Sequence, residues 1–466
     1  MISRSALPLA GGAGTIIATR RPLRVTTIVS PCSARSSTAE KFRDASEAVI
    51  SRTALRLSEQ CQTALVSTAE RAHAEALDAA DPLASIRDRF ELGDPDTIYL
   101  DGNSLGPLSS ASRRRLHALI DEWGVRLVAG WDDWLDLPRQ VGDRLGAVAL
   151  GAAPGQVLVC DSTTVNLYKL ASAALDALSP RHASTILTDA GNFPTDRYVL
   201  DGLAAARGLR LRMIDADPVH GPGVDDIAAS SDVALVVLSH VGYRTGAVAD
   251  LAATTAACAA ASVPVLWDLS HSVGALPIEL DRDGVQLAVG CTYKYLNAGP
   301  GAPALLYVRR DLQDRLRSPI QGWFGQHDQF AMHRPYDPQC DIRRFLAGTP
   351  PILQLAGVAS AVELIAEAGI ERIRAKNLEL TQLAVTLYEA WLEPLGFRLG
   401  SPVDPKRRGS HVSLRHPAAE SITGALVEQR VIVDFRGPDC IRLGLAAPYT
   451  RFVDVHDALA RLRALA

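Results

Sequence analysis

The chain is short of several features that would each announce a class. Its cysteines, Cys32, Cys61, Cys160, Cys258, Cys291, Cys340 and Cys440, are odd in number, scattered, and never form a Cys-x-x-Cys pair. That pattern argues against a disulfide framework and against a zinc site, so no metal is expected, and it fits a reducing compartment such as the cytoplasm. No apolar run approaches the ~20 residues needed to cross a bilayer. The formal charge is only -4, too small to suggest nucleic acid or a charged membrane as partner. The densest basic clusters, Arg113-Arg114-Arg115 and Lys406-Arg407-Arg408, read as solvated faces.

What remains is an ordinary globular composition, 47% hydrophobic and 21% charged over 466 residues, long enough for two packed domains. The start stands apart. No acidic residue precedes Glu40, whereas Arg4, Arg20, Arg21, Arg24 and Arg35 sit among Ser, Thr, Ala and Gly. Read literally, such a composition matches a mitochondrial transit peptide, but a disordered extension or a start assigned too far upstream is the preferred reading. The segment 1–67 is therefore set aside as an extension.

A helical, Ala/Glu/Arg/Leu-rich stretch covers 45–80. Strands are then expected at 97–100, 156–160, 184–188, 209–214, 233–238, 263–267, 287–289 and 304–308, with a helix over 163–178. Several are continuous apolar runs separated by helical segments, which suits a mainly parallel sheet buried on both faces. Past Gly348-Thr349-Pro350-Pro351 a long helical pattern, 352–392, leads to short strands near 411–414 and 441–443. The reading is an α/β protein with an N-terminal segment 68–110, a large domain 111–347 and a smaller α+β domain 348–466.

Lysine is scarce too, with only Lys41, Lys169, Lys294, Lys376 and Lys406. Lys294 follows an apolar strand and precedes the glycine-rich turn Asn297-Ala298-Gly299-Pro300-Gly301. A lysine there projects into the cleft at a sheet edge, and a partly desolvated amine can form an imine with an aldehyde cofactor. A loop lysine on the surface would look the same. Asp268 weighs against that alternative, because it ends the strand Val263-Pro264-Val265-Leu266-Trp267 and has little structural purpose unless something basic faces it. Pyridoxal phosphate (PLP) works as an electron sink while a carboxylate keeps its ring nitrogen protonated. Asp161-Ser162-Thr163-Thr164 lies between a strand and a helix, where free N–H groups favour an anion; taken alone it could be plain helix capping. Phe193-Pro194-Thr195-Asp196 could set a ring over a planar cofactor, or be a simple turn.

With these elements in one order, the chain resembles the kynureninases, PLP enzymes of fold type I, the aminotransferase class V-like group. The matching blocks include Tyr99 to Pro107, Thr164 to Leu167, Phe193 to Tyr198, Ser239 to Gly246, Trp267 to Ala275, Gln321 to Gly325 and Gly348 to Ile352. They run in order from about Asp81 to the C-terminus. The resemblance implies a large PLP-binding domain, a homodimer with shared active sites, and hydrolysis of L-kynurenine to anthranilate and L-alanine. By position it implies that Lys294 binds the cofactor and moves protons, Asp268 holds the ring nitrogen, and Asp196 and His271 stand close to the ring. Phe193 stacks on that ring, and Thr163, Thr164, Ser239 and Tyr293 surround the cofactor. Trp323 and Thr349 reach a phosphate across the dimer, Arg442 holds the substrate carboxylate, and Ser104 and Trp131 face substrate. Trp131 and Thr349 follow a bacterial pattern, implying kynurenine over 3-hydroxykynurenine. Two rivals stay open: a cysteine desulfurase, which usually has His where Tyr293 stands, and a non-catalytic binding protein on the same fold.

Overall fold

The computed structural model describes residues 70–227, 232–332 and 335–466. The readings of the arginine-rich start and of most of the 45–80 helix lie outside these residues; 70–79 is helical. Seven strands form the central sheet: β1 (Val157–Cys160), β2 (Thr185–Asp189), β3 (Arg210–Ile214), β4 (Val233–Ser239), β5 (Val265–Asp268), β6 (Leu287–Gly290) and β7 (Ala304–Val308). Their order across the sheet is β1-β7-β6-β5-β4-β2-β3. The run from β6 to β3 is parallel, and β7 alone is reversed, antiparallel to both β1 and β6. The expected strands are all present, each within about two residues of its expected ends, as pattern reading allows.

Continuous apolar strands mean that both faces of the sheet are covered. Alternate residues of β1 show it. Val157 and Val159 join one hydrophobic core with Val141 and Leu145, while Leu158 joins the other with Leu167, Leu170 and Leu200. Only β3, at the edge, is largely open to solvent.

A second, antiparallel sheet has the order β8-β9-β11-β10, formed by β8 (Arg398–Leu399), β9 (His411–Arg415), β10 (Asp434–Arg436) and β11 (Cys440–Gly444). Its register sets Ser413 opposite Arg442 and His411 opposite Gly444. The N-terminal segment is stitched to this region. Ile98–Tyr99 pairs in parallel with Val431–Ile432, and Asp101 bridges Gly444.

One expectation needs correction. The apolar periodicity from 352 to 392 reads as one helix, but the chain forms Ile352–Ala368 and Ile370–Leu387, bent by 77°, then a π-helical turn Tyr388–Leu392. Gly369 lies between them at φ +79, a backbone state that glycine adopts at helix ends without steric cost. Its flanks are apolar on both sides, so the periodicity runs through the break. Among the described residues no single helix is long and apolar enough to cross a membrane. The described cysteines are free, and all but Cys340 are buried.

Two glycines test the packing in opposite directions. A Cβ at Gly142, in the helix Leu137–Leu145, would stand 2.2 Å from the backbone oxygen of Val157. Backbone cannot step aside, so Gly142→Ala should cost about 1–3 kcal/mol by overpacking. At Gly202, in the helix Pro194–Arg207, a Cβ meets nothing within 4 Å, and Gly202→Ala should stabilise by up to ~1 kcal/mol. Urea midpoints moving in the same direction for both variants would contradict this account.

Four histidines are buried among the described residues, and three of them follow or begin sheet strands: His240 after β4, His271 after β5 and His411 at the start of β9. Burial presses His240 down to about 4 and His411 down to about 3, and burial with the nearby Lys294 charge holds His271 well below its usual value. Unfolded histidine titrates near 6.5, so the unfolded chain takes up protons that the folded one refuses. The stability tied to these rings is fully present above about pH 6.5 and is lost as pH falls toward the folded values, about 1 kcal/mol per ring one unit below. Unfolding of His240→Asn followed from pH 7 to pH 5 should show a slope shallower than the parent's by about one proton; equal slopes would refute the assignment.

Candidate active site

The register of the sheet gathers the site. Cys160 and Gly290 sit opposite Ala304 and Leu305 at the start of β7, so β1 and β6 end at the same sheet edge as β5. Ligands of such sheets bind beyond the carboxyl ends of the strands. There the loops enclose a cavity of about 440 Å³, lined among others by Asp161, Thr163, Thr164, Phe193, Thr195, Asp196, Asp268, His271, Tyr293 and Lys294.

Lys294 is 8% exposed. Its Nζ lies 3.3 Å from His271 Nε2 and 5.5 Å from the centre of the Phe193 ring. Asp268 ends β5, where its Oδ1 accepts a hydrogen bond from the Ser270 N–H at 2.8 Å. Asp196 stands beside it in the first turn of the helix that Phe193 precedes and Pro194 opens. Burial, then the negative charge of Asp268, holds the Asp196 proton well above the usual carboxylate range, with Lys294 opposing. Its Oδ2 is buried with no hydrogen-bond partner. Tyr293 also lines the cavity, and burial keeps its phenol protonated.

At the other end, Ser162 caps the helix Thr163–Ala177 by accepting from the Val165 N–H at 3.3 Å. The N–H groups of the first turn have no intrahelical partner and, with the Thr163 and Thr164 hydroxyls, suit a phosphate. PLP fits these residues. The orphaned oxygen of Asp196 and the sparsely bonded Asp268 call for a cationic N–H, the threonine end calls for an anion, and the amine lies between them.

Arg442 is also buried, 1% exposed, on β11. Its Nε donates to Asp434 Oδ2 at 2.5 Å, Nη1 to the Tyr243 carbonyl at 2.5 Å, and Nη2 to Ser104 Oγ at 3.3 Å. With its amide turned to accept, Asn103 adds contacts at 3.1 and 3.2 Å. Asp101 is close by, pushed up to about 6, mainly by burial. The His411 ring is 5.7 Å from that of His271 and feels the charges of both Arg442 and Lys294.

Other expected positions fall elsewhere in the single chain. Ser239 donates to Asn192 Oδ1 at 2.6 Å and opens on a neighbouring cavity of about 240 Å³. Trp131 and Thr349 line a surface groove together with Trp134. Trp323 is 41% exposed and packs edge-on against Phe324. None of these four lines the Lys294 cavity, although Pro351, close to Thr349 in the chain, does. Sequence reasoning missed Asp434, His411 and the Tyr243 carbonyl. Tyr243 and Asn103 stand inside recognised blocks, so a signal existed for them; Asp434 faces Arg442 only through the pairing of β10 with β11.

Residues 373–462 match the family described as Kynureninase C-terminal domain. The chain is 41% identical over 391 residues to kynureninase of Pseudomonas fluorescens, covering 82% of this chain and 92% of that one. It is likewise 41% identical over 401 residues to kynureninase of Burkholderia pseudomallei (strain 1106a), covering 84% and 94%. Among solved structures, a C-DES mutant with glycine covalently linked to its PLP cofactor superposes with a TM-score of 0.72 at 21% identity, over 81% of this chain and 98% of the other. Cysteine desulfurase from Thermococcus onnurineus NA1 superposes with a TM-score of 0.70 at 18% identity, over 82% and 97%. These structures share the fold, whereas the sequence relatives match along nearly their whole length, and on that ground the chain belongs to the kynureninase family of PLP-dependent hydrolases.

Proposed function

We infer that this protein hydrolyses the Cβ–Cγ bond of L-kynurenine, releasing anthranilate and L-alanine, with L-kynurenine preferred over 3-hydroxykynurenine. The observation that carries the reading is the convergence of Lys294, Asp268 and Asp196 on one cavity in a chain so similar to kynureninases. Bound through Lys294, PLP supplies an electron sink for the bonds broken at the substrate's Cα and Cβ.

The residues of the chain do the rest. Arg442 receives the α-carboxylate, for which a fixed guanidinium fork is the suitable partner. Lys294 moves the proton at Cα, acting from a desolvated position where an amine is a competent base. Asp268 keeps the proton on the ring nitrogen, and Asp196, already inclined to hold a proton, lets two acids share the corner without repulsion. Water adds at the γ-carbonyl. Tyr293, kept protonated by burial, gives the proton that Cβ needs once its bond to Cγ breaks. His271, neutral and 3.3 Å from Nζ, can accept from the amine without adding charge.

The same reading takes 111–347 as the cofactor domain and 348–466 as the small domain, with 68–110 as the segment before them. It includes a cytoplasmic homodimer in which Trp323 and Thr349 serve the neighbouring site. The 41% exposure of Trp323, and the open groove that Thr349 shares with Trp131, support a partner there. The likeness of Trp131 and Thr349 to the bacterial pattern supports the preference for unhydroxylated kynurenine.

Anthranilate fluorescence with purified protein, PLP and either substrate tests the reading. Turnover of neither substrate would overturn it, and faster turnover of 3-hydroxykynurenine would overturn the preference alone. Lys294→Ala should abolish turnover while the protein stays folded by circular dichroism. Arg442→Lys removes the fork but keeps a charge, and kcat/KM should fall roughly 100-fold, the ~3 kcal/mol scale of charged hydrogen bonds; a value within threefold of the parent would move the carboxylate site elsewhere.

A further inference from the structure

Among the buried charges outside this chemistry, one pairs with a residue of the Lys294 cavity wall. Lys169, in the helix Thr163–Ala177, is 0% exposed. Its Nζ donates to Asp161 Oδ2 at 2.7 Å and to the Phe345 carbonyl at 2.7 Å, with Cys160 Sγ at 3.7 Å. A fully buried ammonium is costly unless paired, so its one ionic partner matters. Asp161 is an unusual partner. It lines the Lys294 cavity at the threonine end, its side chain is 29% exposed, and it holds a left-handed backbone at φ +46. A carboxylate at that place opposes the field that would bind a phosphate.

We propose that Lys169 is a positioning residue for the cofactor phosphate: it neutralises Asp161 and holds that carboxylate aside, so that this end of the cavity presents N–H and hydroxyl donors to the anion. The proposal rests on reading Thr163 and Thr164 as the phosphate end. Lys169 also ties the β1–helix turn, through Phe345, to the segment that continues to Pro351 on the cavity wall. Asp161 in turn secures the left-handed turn, its carbonyl accepting from the Ala304 N–H at 2.9 Å. Charge and turn are set by one pair.

The test compares PLP with pyridoxal, which lacks the phosphate, by titrating each into cofactor-free protein and following absorbance. The ratio of the two affinities isolates the phosphate. In Lys169→Met the bare Asp161 carboxylate should lower that ratio roughly tenfold or more. Asp161→Asn should raise it by about threefold or more, since Lys169 then acts unopposed. The double variant, with neither charge, should return to within about threefold of the parent. Should Lys169→Met not fold, Asp161→Asn and the double variant carry the same comparison. A merely structural lysine predicts something different: losses shared equally by PLP and pyridoxal, or losses that the double variant does not restore. Either result, or a ratio unchanged in Asp161→Asn, overturns the proposal. Thr164→Val separates the two levels. If it lowers the ratio while the charge variants do not, the phosphate end stands and the role of Lys169 falls. If it leaves the ratio unchanged, the phosphate end itself is misplaced and the proposal falls with it.

Discussion

Two carboxylates and one amine share a corner from which water is nearly excluded. Asp196 and Asp268 are 2% and 5% exposed and Lys294 is 8% exposed. Two anions so close and so dry cannot both stay ionised unless a cation joins them, and the orphaned Asp196 oxygen marks where the pairing is incomplete. The sheet supplies the rigidity that this crowding needs. Asp268 closes a strand buried at every position, Lys294 leaves the next strand on a turn, and Asp196 is fixed in the first turn of a helix.

The demand for compensation explains the surroundings. Near Lys294 the chain places histidines that burial keeps neutral, not further cations. Where it does place a cation, each is tied: Arg442 to Asp434 and Lys169 to Asp161. Charge is thus held in local pairs, whereas the amine of Lys294 on the cavity wall meets the His271 ring at 3.3 Å.

Much of this was legible in the sequence, for physical reasons. Continuous runs such as Val233-Ala234-Leu235-Val236-Val237-Leu238 announce a strand buried on both faces, and a carboxylate or amine placed just past such a run has to be at a sheet edge. Hence Asp268 and Lys294 could be picked out from their neighbours alone. Direction is not written in a run of Val and Leu, so the reversal of β7 stayed hidden, and a lone Gly369 among apolar residues did not announce a bend. Partners set by tertiary register were out of reach as well. Asp434 meets Arg442 because β10 pairs with β11, and no local pattern states that pairing. Trp323, Thr349 and Trp131 could be named only by resemblance, since within one chain they lie outside the Lys294 cavity.

The stitching of Ile98–Tyr99 to Val431–Ile432 bears on the order in which the molecule is made. Every residue of the Lys294 cavity except Pro351 is synthesised before residue 305, whereas the hydrogen bond from Arg442 to Ser104 spans nearly the whole chain. Domains fold as units during synthesis, the N-terminal one first. A nascent chain can therefore shape the cofactor half of its site early, while the N-terminal strand waits unpaired for a partner that leaves the ribosome among the last residues. The walls of the Lys294 cavity can be in place before the contact between Ser104 and Arg442 forms.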